Sequence, residues 1–290
     1  MRPTEAALAR EDAELTGLDR LELPIAPSPS LARRVWGGAW PQLAAIALLI
    51  GLWQLVVFLE LRPSWVLPGP SDVLPRLWED LTGNLPTAIA TTLRRAGIGY
   101  ALALLIGMAI GLAIVRWRLL RTAVASLITG LQTMPSIAWF PFAILLFGLS
   151  EAAIMFVIVL GAAPSIANGL ISGVDNIPRI LLRAGDVLGA RGIDRYRFVV
   201  LPAALPAFVG GMKQAWAFAW RSLMAGELLV IIAQQPSLGV QLQLQRELAD
   251  AEGLLATMIV VLVVGILVDQ VAFGTVERRI RMRRGLSDPV

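Results

Sequence analysis

Polar and apolar positions along this chain fall into long blocks rather than into alternation. Six apolar runs, at about residues 40–59, 92–115, 123–147, 152–173, 206–232 and 253–273, are separated by short charged or Gly- and Pro-rich stretches. A helix rises about 1.5 Å per residue, so roughly 20 apolar residues cross the hydrocarbon core of a bilayer. The pattern predicts an all-α membrane protein with six transmembrane helices. Ala103, Gly107 and Gly111 recur every four residues in the second run, a small-residue stripe suited to close helix packing. The third run carries Gln132 and Thr133 beside Pro135 and Pro141, and the fourth carries Pro164 and Asn168. A backbone broken at membrane depth persists only where neighbouring protein or a water-filled cavity satisfies the freed groups. Gln132, Thr133, Ser136 and Asn168 therefore either line a pathway or satisfy the broken backbone. Trp139, Phe140 and Phe142 read as packing.

The connectors divide the chain further. Residues 1–35 are polar, acidic and Pro-containing, with too little apolar surface to fold alone, and are expected to form a disordered or loosely docked tail. Residues 36–277 make the membrane domain and residues 278–290 a basic tail. Pro68-Gly69-Pro70 forms a turn after the first run, with Ser71 or Asp72 capping a short helix through Leu81. Residues 233–250 are polar with helical potential. The loop at about 176–202 is the most structured connector. Ile177, Ile180, Leu181, Ala184 and Leu188 fall at helical spacing, with Arg179, Arg183 and Asp186 off that face, as in a surface-lying amphipathic helix. Gly189 and Gly192 then supply a sharp turn, and Pro202 and Pro206 punctuate entry into the next span. A connector resting on lipid headgroups would show the same amphipathic face.

Composition narrows the chemistry. Hydrophobic residues make up 57% of the 290 positions, with mean hydropathy +0.71, whereas soluble domains hold about 45–50% apolar residues. The chain has neither cysteine nor histidine, which removes disulfides, thiolate metal sites and the commonest general base. Its only lysine, Lys213, precedes Gln214 and cannot complete a phosphate-cradling loop ending in Lys-Ser or Lys-Thr. The pI near 10.5 does not indicate nucleic acid, because the arginines sit between apolar runs rather than on one soluble face. No short apolar segment with a cleavage site opens the chain, so no signal peptide is expected. With both termini inside, only Arg62, Arg76, Arg94, Arg95 and Arg246 of the 25 lysines and arginines fall outside, and Lys213 and Arg221 lie within the fifth run. The positive-inside rule then selects six spans with both ends cytoplasmic.

Two residues of the fifth run stand out. A charge at the depth of Arg221 costs about 2.5–3.5 kcal/mol on insertion scales and usually faces the bundle interior or a polar cavity. It either lines a pathway or pairs with an acid on a neighbouring helix or subunit. Glu227 lies six residues away, on another face of the same helix, so direct pairing between the two is not expected. Glu227 is open to a gating role or to hydrogen bonding within the bundle, with the structural role preferred.

The stretch RAGDVLGARGIDRYRFVVLPAALP resembles the cytoplasmic EAA loop of bacterial ABC importer permeases. The likeness extends over about residues 53–277 through VLPGPSDVL, TLRRAGIGYALALLIGMAIG, TMPSIAWFPFAILLFGLSE, GLISGVDNIP and GMKQAWAFAWRSLMAGELL, and is nearest to the nitrate/sulfonate/taurine branch. That resemblance implies a five-helix core preceded by one extra helix, with cytoplasmic coupling helices. It assigns contact with a separate ATPase to Arg183, Ala184, Gly185, Gly189, Ala190, Arg191, Phe198, Leu201 and Pro202, with Pro206 completing the matched motif. Arg183 stands where the family has Glu, and Gly185 where it has a second Ala. Trp220 joins Gln132, Thr133, Ser136, Asn168, Arg221 and Glu227 as a candidate pathway residue. The resemblance further implies two ATPase subunits that bind the ATP, a second copy of the permease, and an extracytoplasmic substrate-binding protein. This chain itself would hold no cofactor and no catalytic residue. The solute implied is small: taurine or an alkanesulfonate, a nitrate- or bicarbonate-like anion, or alternatively a pyrimidine or vitamin precursor. The location implied is the bacterial inner membrane. A membrane-embedded enzyme would need clustered catalytic groups at one membrane face, and a secondary transporter usually shows two corresponding halves; neither pattern appears in the sequence.

Overall fold

The computed structural model describes residues 31–232 and 235–283, and every regular element among them is helical. Residues 1–30 of the expected tail, and those after 283, lie outside the described residues. The chain divides into two units, Met1–Phe58 and Leu59–Val290. In the first unit, α1 spans Leu31–Phe58, so helix begins five residues before the expected domain start at 36. Its membrane-length portion is Trp40–Phe58.

The second unit opens with α2 (Pro70–Thr82). Proline occupies its first turn, where no backbone N–H is needed, and Asp72 Oδ2 accepts a hydrogen bond from the Gly69 N–H at 3.2 Å. Helix α3 covers Leu85–Arg116, starting seven residues before the apolar run does. The third run is not one helix. Helix α4 (Arg118–Thr133) stops before Pro135, which lacks an N–H and holds Met134 in an extended conformation. A 3₁₀ turn (Ser136–Trp139) and α5 (Phe140–Phe147) follow, and the two halves of the run meet at a bend of 101°.

Helix α6 (Glu151–Asp175) is the centre of the bundle, packed along α3 on one side and α8 on the other. Ile154, Val157, Ile158 and Ile166 are wholly buried there. The small-residue stripe of α3 is buried against it, with Gly107 and Gly111 lying against Ile166 and Ala167. On the other side the backbones of Gly169 and Gly211 nearly touch: a Cβ on Gly211 would stand 2.5 Å from the Gly169 Cα.

After α6 come α7 (Arg179–Val187), one turn at Ile193–Arg195, a π-helical segment at Tyr196–Val200, and α8 (Leu201–Leu229). Helix α8 runs on through Pro202 and Pro206, where punctuation was expected; the helix is continuous from Ile193 to Leu229, with the π-helical turn just ahead of Pro202. Ser237 caps α9 (Leu238–Glu247), and Asp250 caps α10 (Ala251–Val268). A π-helical segment (Asp269–Gly274) leads into α11 (Thr275–Arg283), so the expected boundary at 277 falls inside a helix. Among the described residues, five helices are long and apolar enough to cross a membrane, six if the bent third run counts as one span. Large apolar side chains such as Leu105, Leu145 and Leu262 are exposed along them, as a lipid surroundings requires.

Candidate functional site

The broken third run leaves a cavity of about 440 Å³ between the α4–α5 bend, α6 and α8. Gln132, Thr133 and Ser136 line it from the break, Gly161 from α6, and Phe218 and Arg221 from α8. Gln132 Nε2 donates to Ser165 Oγ at 2.9 Å, which fixes its amide, and Thr133 Oγ1 donates back to the Gly130 carbonyl at 2.8 Å. Arg221 is exposed; its Nε donates to the Ala217 carbonyl of its own helix at 3.0 Å, and its guanidinium lies 4.8 Å from the Phe218 ring centroid. Such a stacked cation keeps its outer nitrogens free for another partner.

The remaining candidate pathway residues lie elsewhere. Asn168 is exposed and does not line this cavity. Trp220 stacks on Trp216 at 6.0 Å and lies against Gly265 of α10, lining a separate apolar cavity of about 760 Å³ with Met258 and Leu262. Glu227 is completely buried.

Glu227 belongs to a polar network that ties four segments together. Arg95 of α3, 1% exposed, donates through Nη1 to Glu227 Oε1 at 3.0 Å and through Nε and Nη2 to Glu151 at 3.0 and 2.7 Å. Its Nη2 also donates to Gln235 Oε1 at 2.9 Å. Thr92 Oγ1 donates to Glu227 and accepts from the Leu238 N–H at 3.0 Å, and the Gly239 N–H donates to Glu227 Oε2 at 3.1 Å. Glycine is required at 239, since a Cβ there would fall onto the Cβ and backbone of Glu227. A buried guanidinium thus meets two carboxylates and an amide, which is the condition for a buried charge to persist. In the sequence Arg95 counts as an outer-side charge at the start of the second apolar run, with no sign of a buried partner. No local signal reveals the pairing, because its acidic partners are 56 and 132 residues away.

At α7 the chain builds a different kind of surface. Gly189 has φ +80°, its N–H donates to the Asp186 carbonyl at 3.1 Å, and the Ala190 N–H donates to the Gly185 carbonyl at 2.9 Å. Those two bonds close the helix end in the Schellman pattern, which needs a left-handed residue at that place. Val187, Leu188 and Ile193 are 88%, 85% and 82% exposed, with Ile180, Tyr196, Phe198 and Leu201 exposed beside them. Arg183, Ala184 and Arg191 are exposed as well, Ala190 is half-buried, and Pro202 opens α8. Gly185 is buried: a Cβ there would come 2.7 Å from Val199 Cγ2, so glycine lets the π-helical segment lie over α7. Arg195 pairs with Asp186 at 3.3 Å across the turn. Lys213 of α8, by contrast, pairs with Asp269 at 3.5 Å and Glu277 at 3.9 Å. No group of three acidic side chains placed to hold a metal ion occurs among the described residues.

Residues 99–282 match the sequence signature of a family described as binding-protein-dependent transport system inner membrane component. The chain is 26% identical over 244 residues to a taurine transport system permease of Escherichia coli K12, covering 82% of this chain and 87% of that protein. It is 31% identical over 195 residues to a nitrate import permease of Leptolyngbya laminosa, covering 65% and 70% of the two. Among solved structures, a chain of the MetNI methionine ABC transporter in an inward-facing conformation aligns with TM-score 0.55 at 22% identity, over 71% of this chain and 98% of that one. That likeness concerns the fold.

Proposed function

Since this chain belongs to the family of binding-protein-dependent transport system inner membrane components, an ABC importer permease family, we propose that it forms the pathway for a small anionic solute and couples it to separate ATPase subunits. It is a multi-pass membrane subunit. In the proposed assembly two copies of it pair, two ATPases bind the ATP and dock at the α7 surface, and an extracytoplasmic receptor delivers the solute. Both termini and α7 then lie on the cytoplasmic side of a bacterial inner membrane, as the distribution of arginines supports. Arg183, Ala184, Gly185, Gly189, Ala190, Arg191, Phe198, Leu201 and Pro202 make the coupling surface; Gln132, Thr133, Ser136 and Arg221 face the solute. The relatives named for taurine and nitrate support a sulfonate or nitrate-like solute.

The observation that carries this reading is the exposed apolar patch at α7, held by a left-handed Gly189 on the connection between two long apolar helices. A patch of that size on a structured connector fits a protein partner. Co-expression with a candidate ATPase and receptor, followed by purification, tests it. The expected result is a complex whose ATP hydrolysis rises when loaded receptor is added. ATP hydrolysis by the purified permease alone would overturn the reading.

A further inference from the structure

Arg95 and Arg221 both lie within membrane-length helices, and they meet opposite fates. Arg95 is enclosed and bonded to Glu151, Glu227 and Gln235. Arg221 donates one N–H to its own helix and covers one aromatic ring, and its two terminal nitrogens have no hydrogen-bond partner among the described residues. The residues lining its cavity include no carboxylate. The wall opposite is neutral and hydrogen-bonding, with Gln132, Thr133 and Ser136. An uncompensated charge at membrane depth is costly and is retained facing a polar cavity or pathway.

We infer that Arg221 is the anion-recognition group of this cavity, and that the solute admitted there carries an oxyanion such as a sulfonate, carboxylate or nitrate. The inference rests on the permease reading above and assigns one residue the choice of charge. A guanidinium offers its terminal N–H groups in a planar fork that matches two oxygens of such an anion. A volume of about 440 Å³ accommodates a small organic anion together with water. Cations are excluded by the same unpaired charge, with no second site needed.

The chain has no cysteine, so a single Ser136→Cys variant reports on this cavity alone. It is assembled with its ATPase subunits and treated with an anionic sulfonatoethyl or a cationic trimethylammonioethyl methanethiosulfonate. The expected result is a rate preference for the anionic reagent of about tenfold over the preference shown by a small free thiol. Arg221→Gln should abolish that preference and Arg221→Lys should keep it. Millimolar ethanesulfonate should protect the cysteine with Arg221 present, and not with Gln. Equal rates for the two reagents, or a preference unchanged by Arg221→Gln, overturn the inference; a carboxylate from a second copy neutralising Arg221 would give that result. The comparison with Arg221 intact decides the question even where Arg221→Gln fails to assemble. ATPase co-purification is read on the same samples. Its loss with the charge preference intact counts against the importer reading, and its retention with no preference counts against the anion site alone.

Discussion

The residue pair Glu227 and Gly239 shows how much one missing methyl group decides. The acid is fully buried, and its second oxygen is satisfied by the Gly239 N–H only because that backbone lies directly on it. Gly239→Ala should force the two apart and lower stability by about 1–3 kcal/mol, the usual range for overpacking. Glu227→Ala removes one partner of a buried pair and should cost about 3–5 kcal/mol. Thermal unfolding of the purified protein in detergent measures both, and an unchanged midpoint in either variant would refute the assignment. Gly189→Val tests another kind of constraint. Nothing lies within 4 Å of a Cβ at that position, so the penalty comes from φ +80° and not from a collision. Strain of about 1–3 kcal/mol at the end of α7 should leave membrane insertion intact. Receptor-stimulated ATP hydrolysis should fall, and a variant that keeps the parental rate would show that the α7 end is a passive connector. The left-handed turn was legible in the sequence because glycine declares it. Arg95 was not, because a salt bridge between distant helices leaves no trace in the residues beside it.

Elements were legible as blocks, less so at their edges. Helix α3 begins at Leu85, ahead of the apolar run, because Leu85 and Ala88 are buried in a cluster with Leu238 and Val260, residues far away in the chain. Pro135 and Pro141 announced a break in the third run, while the 101° turn depends on packing that no local pattern encodes. The crossing of α6 and α8 makes a sharp prediction, because Gly210 and Gly211 are neighbours in opposite settings. A Cβ on Gly210 meets nothing within 4 Å, whereas one on Gly211 meets the Gly169 backbone at 2.5 Å. Gly210→Ala should be neutral or stabilising by up to about 1 kcal/mol, from helix propensity. Gly211→Ala should separate the helices and reduce both the yield of folded protein and its unfolding temperature. Equal behaviour of the two variants would mean that α6 and α8 do not cross there.

For the whole molecule, sidedness is the property to test. Single cysteines at Asp80 in α2 and at Asp194 beside α7, each in a chain with none of its own, should label from opposite faces of the membrane. Labelling of both by an impermeant reagent added outside would place the α7 surface away from any cytoplasmic ATPase. The apolar blocks were legible in the sequence because the bilayer imposes them on any multi-pass chain, and the arginine distribution is what supports the proposed sidedness. The Gly169–Gly211 contact has a mechanical consequence. Helices whose backbones touch offer little compliance across the contact, so for small displacements α6 and α8 behave as one stiff beam. Helix α7 sits on the link between them, at the end of that beam. The broken run at Met134–Pro135 walls the Arg221 cavity on one side, while Gly161 of α6 and Phe218 and Arg221 of α8 help form the rest. With α6 and α8 fixed to one another, a change in the shape of the compartment around the arginine falls to the broken run that closes it.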